Sequence, residues 1–66
     1  MVGRTRVKVI NLFLLVRFFE SGGEIDSAKL ARQYGVSVRT AERWLLDVGE
    51  IVPLTSEGRR WRRWRP

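Results

Sequence analysis

Gly35, Val36 and Ser37 sit between two short segments of helical periodicity, and this corner constrains the fold more than any other part of the chain. Upstream, Leu30, Ala31 and Tyr34 form the inner face of a helix over about residues 27–34. Asp26 or Ser27 can cap it by accepting from its free N–H groups. Gly35 ends it, because glycine takes the left-handed conformation at low cost. Val36 then points inward, and Ser37 is a natural cap for a further helix over about 38–48. Ala41, Leu45 and Val48 recur there as a buried stripe, with Trp44 on the same side and Gly49 as the stop.

The flanking segments complete one small domain. Residues 5–20 contain neither Gly nor Pro and run into Ser21-Gly22-Gly23, which predicts a first helix with a strong stop. Its apolar residues cover nearly the whole circumference at about 100° per residue. One face must pack on the domain, and the remaining surface marks an interface. Leu12, Leu15 and Phe19, together with Trp44, are the expected homodimer contact. After Gly49 the pattern changes. Ile51, Val52 and Leu54 read as a short strand that Pro53 confines to an edge, Thr55 to Gly58 as a turn, and Arg60 to Arg63 as the returning strand. The expected fold is mainly α with a small β-hairpin over about 51–63: a three-helix winged helix-turn-helix in a single domain.

Composition narrows what such a domain can do. With 66 residues it buries only about 60% of its unfolded surface, so stability must come from a dense core or a partner chain. No cysteine means no disulfide and no thiolate metal site, and no histidine removes the commonest general base and metal ligand. No convergent carboxylate pair and no phosphate-cradling glycine loop is visible, so the chain is not expected to be an enzyme or to need a cofactor. The net charge is +6, and eleven of the thirteen cations are arginine, whose planar fork suits phosphates and guanine edges. The apolar stretch Val9 to Phe19 is broken by Asn11 and Arg17 and is shorter than the roughly 20 residues of a membrane span. No small-residue cleavage site follows it, so a cytoplasmic, nucleoid-associated protein is expected.

The stretch "LARQYGVSVRTAERWL", Leu30 to Leu45, resembles the winged helix-turn-helix of DeoR-type and WYL-domain bacterial regulators. The shared pattern is L-A-x-x-x-G-V-S-x-R-T-x-x-R-x-L. "DVGEIVPL" is similar to that family's helix end, strand and proline, and "GRRWR" to its returning strand. The resemblance implies sequence-specific binding of double-stranded DNA, repressor-like regulation of transcription, and often a dimer. It implies Ser37, Arg39, Thr40 and Arg43 as the DNA-facing set. Trp44 departs from the pattern, standing where the family commonly has an acidic residue. The family's effector domain is not in this sequence, which leaves a free-standing binder or an excised domain as alternatives.

The physical reading of the residues runs alongside. The second helix of a helix-turn-helix enters the major groove with its N-terminal residues toward the base edges. That places Ser37, Val38, Arg39, Thr40, Glu42 and Arg43 in the recognition region, Arg43 lying one turn after Arg39 on the same face. Five arginines and two tryptophans fill residues 59–65. Alternation along the returning strand puts Trp61 toward the core and Arg60 and Arg62 on the other face, so Arg59, Arg60, Arg62 and Arg63 form a basic wing against backbone or minor groove. Trp64 falls out of phase, which ends the strand near Arg63 and leaves a short arm. Three other readings compete: an architectural or recombination accessory protein, a winged-helix protein-interaction module, and a membrane-surface peptide, since interleaved Arg and Trp also suit lipid headgroups.

Overall fold

The corner at Gly35 closes as a double hydrogen-bonded stop. Gly35 lies in the left-handed region at φ 67°, ψ 33° and its N–H donates to Arg32 O, while the Val36 N–H donates to Ala31 O at 2.9 Å. This pair of bonds satisfies carbonyls that a helix end would otherwise orphan. The computed structural model describes residues 2–65, and residues 2–9 as backbone alone. Its elements are α1 (Val2–Glu20), β1 (Glu24–Asp26), α2 (Ser27–Tyr34), α3 (Val38–Gly49), β2 (Leu54–Glu57) and β3 (Arg60–Arg63). The protein is thus three helices with a small antiparallel sheet ordered β1-β3-β2.

Both short helices start on side-chain caps. Asp26, left open against Ser27 by the sequence, is the cap of α2: its Oδ1 accepts from the N–H groups of Ala28 at 2.7 Å and Lys29 at 3.3 Å. The Ser27 N–H, another donor without an intrahelical partner, finds Arg59 O at 2.8 Å. Ser37 caps α3 by accepting from the Thr40 N–H at 3.1 Å. Helix α3 runs one residue past expectation, with Gly49 inside it and Glu50 as its C-cap in the right-handed region.

The sheet differs from expectation at three points. First, Ile51 and Val52 are not strand. Their N–H groups both donate to Val48 O at 2.9 Å, which carries the chain through one more turn and drives Val52 into the core while Ile51 stays outside. Pro53 follows, and β2 begins only at Leu54. Second, Thr55 to Glu57 are paired rather than turn. The loop is just Gly58-Arg59, with positive φ at Gly58 alone, the form of a two-residue II′ hairpin whose twist matches its strands. Third, a strand that sequence reasoning missed, β1, pairs with β3 in the register Glu24↔Arg62, Ile25↔Trp61, Asp26↔Arg60.

The core is built from Leu15 and Phe19 of α1, Leu30 and Ala31 of α2, Ala41, Trp44, Leu45 and Val48 of α3, and Val52. Trp61 packs against it from the sheet, beside Ile25 and Leu54. This corrects the expected dimer contact. Leu15 and Phe19 are buried within the chain, Leu12 packs half-buried on the same cluster, and the Trp44 ring meets Tyr34 edge to face at 5.6 Å. The domain has too few other large apolar groups facing inward to fill its centre without them. The side of α1 left outside carries Ile10, Phe13, Leu14 and Phe18 instead.

A candidate nucleic-acid interface

Helix α3 buries one stripe and presents the opposite one. Ala41, Trp44, Leu45 and Val48 turn inward, so at 3.6 residues per turn Arg39, Arg43 and Leu46 must turn outward, and all three are exposed. Arg39 and Arg43 stand one turn apart on this face, and neither ion pair found among the described residues involves them. Ser37 and Val38 are exposed at the helix start, and Thr40 is half-buried there. The Ser37 hydroxyl accepts from the Thr40 N–H and donates to Thr40 Oγ1 at 3.0 Å, so it is spent on the cap. The N–H groups of Val38 and Arg39 have no acceptor within the helix and carry the positive end of its dipole.

Glu42 does not join the outward face. It is half-buried, and its Oε2 accepts from the Oγ of fully buried Ser27 at 3.5 Å. The same serine takes the Arg59 carbonyl on its N–H. Ser27 therefore links the hairpin loop, the start of α2 and the middle of α3. That contact fixes the loop beside the flank of α3, and no local sequence signal foretold it. Leu46 was also missed as part of the outward face. Its place three residues after Arg43 and seven after Arg39 was the available clue.

The arginines of the hairpin divide into two groups. Arg60 and Arg62 lie on the face of β3 away from the core, as alternation required, but they have acidic neighbours there. Arg60 Nη1 is 3.6 Å from Glu24 Oε1, and Arg62 Nη2 is 3.8 Å from Glu57 Oε1. Both pairs are diagonal in the register. All four side chains are substantially exposed, so each pair contributes about 0–1 kcal/mol and exchanges readily. Arg59 is exposed in the loop. Arg63 donates to the carbonyl of Glu20 at 3.4 Å, a neutral partner that leaves its charge uncompensated. Trp64 is held past the strand end by its N–H on Pro53 O at 2.8 Å. With Arg62, Arg63 and Arg65, and with Glu24 and Thr55 from the strands on either side, it lines a hollow of about 420 Å³ across the sheet. Strand β3 ends at Arg63 as expected, but the chain beyond it is tied back at Trp64, and Pro66 lies outside the described residues.

The result is a surface with an arginine pair on a helix, an amide-rich helix end and a basic hairpin. Such a surface can hold phosphates through guanidinium forks and N–H groups, and can present arginine to base edges. Among the described residues no helix is long and apolar enough to cross a membrane, and no group of three or more His, Cys, Asp or Glu is placed to hold a metal ion. Compared with models of known protein families, with curated proteins and with solved structures, the chain matches none.

Proposed function

We propose that this chain is a winged helix-turn-helix protein of the DeoR-type and WYL-domain kind that binds double-stranded DNA and regulates transcription. Helix α3 enters the major groove, and the β2–β3 hairpin acts as the wing on the flanking backbone. The observation that carries the reading is the outward pair Arg39 and Arg43, free of acidic partners among the described residues, on the helix that follows the Gly35 corner. The groove is about 12 Å wide and takes one helix. In that pose the first turn of α3 approaches the base edges, Arg39 and Arg43 act as forks for guanine or phosphate, and Leu46 offers an apolar contact to a thymine methyl. Arg59 and Arg63 reach phosphates first, since Arg60 and Arg62 must leave their carboxylates to do so.

Selection from a pool of random duplexes at about 150 mM salt, where nonspecific phosphate binding is suppressed, tests the proposal. An enriched short motif is expected; a pool that stays random sinks sequence-specific binding. The wing has its own test. Replacing Glu24 and Glu57 by Gln raises the net charge from +6 to +8 and releases Arg60 and Arg62. Affinity for any duplex should rise several-fold at low salt, and the slope of log K against log salt should steepen by about 0.9 for each arginine that gains a phosphate. An unchanged slope would remove the outer sheet face from the interface.

A further inference from the structure

The face of the sheet turned away from the core carries a hollow that the α3 surface does not use. In the strand register Glu24, Arg62 and Thr55 stand directly opposite one another on β1, β3 and β2. Trp61 packs on the core, so alternation puts this row on the outer face. Trp64 follows Arg62 by two residues, and its N–H on Pro53 O at 2.8 Å extends the ladder past β3. The ring therefore comes to the same face, roughly 7 Å along the strand from Arg62. It is 53% exposed although its backbone is tied down. Glu24, Thr55, Arg62 and Trp64 border the hollow of about 420 Å³, and Arg63 and Arg65 complete its basic rim. We infer that this hollow binds one unpaired nucleotide, with its base stacked on Trp64 and its phosphate held by Arg63 and Arg65.

Three guanidiniums against one carboxylate call for an anion, and the exposed indole between Arg63 and Arg65 calls for a flat π-face. Neither ion pair found among the described residues involves Arg63 or Arg65, so both can turn to a phosphate. The volume lies near the low end of the roughly 300–1,000 Å³ of small-ligand sites, which suits one nucleotide. Glu24 separates a nucleotide from other aromatic anions. Its Oε1 faces Arg60 at 3.6 Å, which leaves Oε2 as an acceptor at the rim. A plain aromatic acid or an anionic lipid surface meets that carboxylate as a repulsion. A base with an exocyclic amino group meets it as a partner, as cytosine N4 does with glutamate. A base inside a duplex is covered by its neighbours and offers no face to Trp64, so the ligand is unpaired. A free nucleotide and a single strand present the same base and phosphate. The site goes beyond the duplex reading and does not rest on it. The loop held beside α3 by Ser27 is at Arg59, and Trp64 lies roughly 16 Å further along an extended chain.

The chain has three tryptophans, and their indole N–H signals report on them separately by NMR, with Trp64→Ala identifying that of Trp64. Deoxycytidine monophosphate should shift the Trp64 signal and leave those of Trp44 and Trp61, which lie in and against the core, in place. Inorganic phosphate at the same concentration should not shift it. Thymidine monophosphate should bind roughly three- to tenfold more weakly, and Glu24→Gln should remove that difference, because an amide both donates and accepts. Equal binding of the two monophosphates to the wild type would overturn the part given to Glu24. Trp64→Ala, followed through the Arg62 amide signal, should weaken deoxycytidine monophosphate by roughly fivefold or more with the melting temperature unchanged. A single-stranded dC tetramer separates the two sources: tighter binding than the monophosphate assigns a strand, and equal or weaker binding assigns a free nucleotide. No Trp64 shift with either ligand, or unchanged affinity in Trp64→Ala, would overturn the site. So would an equal shift with inorganic phosphate, with a blunt-ended duplex or with phosphatidylglycerol vesicles.

Discussion

Arg39→Ala combined with Arg43→Ala should lower affinity for a selected duplex by roughly a hundredfold or more, with the fold untouched. A bidentate arginine on a guanine gives about 1–3 kcal/mol of discrimination, and 1.4 kcal/mol is tenfold in affinity. Two such contacts therefore carry roughly two decades even near the low end of the range. The fold should survive because both residues point away from the core and alanine is the best helix former. The loss can be read by fluorescence anisotropy on a labelled duplex, with the melting temperature as control. The single variants separate the two roles. An arginine that reads a base relaxes specificity at one position when removed, whereas one that holds a phosphate weakens all sequences alike and lowers the salt slope by about 0.9. Undiminished binding by the double variant, with an intact melting curve, would take α3 out of the interface.

Phe19→Ala should cost about 3–5 kcal/mol of stability, the range for emptying a buried aromatic site. Phe19 has no exposed surface and sits where α1 meets the rest of the core. A chain of 66 residues has a total stability of about 3–10 kcal/mol, and no disulfide supplements it here. The variant should therefore be largely unfolded at 25 °C or melt roughly 15–30 °C lower. Leu46→Ala is the matched control: its side chain is 64% exposed and its loss should change stability by less than about 0.5 kcal/mol. The comparison also distinguishes the two roles that α1 offers for Phe19. A dimer-contact residue would give a melting temperature that depends on protein concentration, with a small effect in dilute solution. A core residue gives the large loss at every concentration.

Much of what depends on bonds between close neighbours in the chain was legible beforehand, although the extra turn from Val48 to Val52 and the two-residue hairpin loop were not. The Asp26 and Ser37 caps reach N–H groups two or three residues on, and the Gly35 stop closes between Ala31 and Val36. These local bonds fix the two short helices, the corner between them and the inward stripe of α3, and with them the outward placement of Arg39 and Arg43. Helix α1 carried no such instruction. Its apolar residues surround the axis, so periodicity could not say which side would be buried. Contact with α2 and α3 chose Leu15 and Phe19 for the core and left Phe13, Leu14 and Phe18 outside. The same is true of the sheet. Strand β1 is three residues long and exists only because β3 lies beside it, and the Ser27 link between hairpin loop and α3 joins groups far apart in sequence. Local hydrogen bonds are paid for by ordering a few adjacent residues. Pairings such as Glu24 with Arg62 form only after a long loop has closed, and that closure depends on the packing of the whole chain rather than on any segment of it.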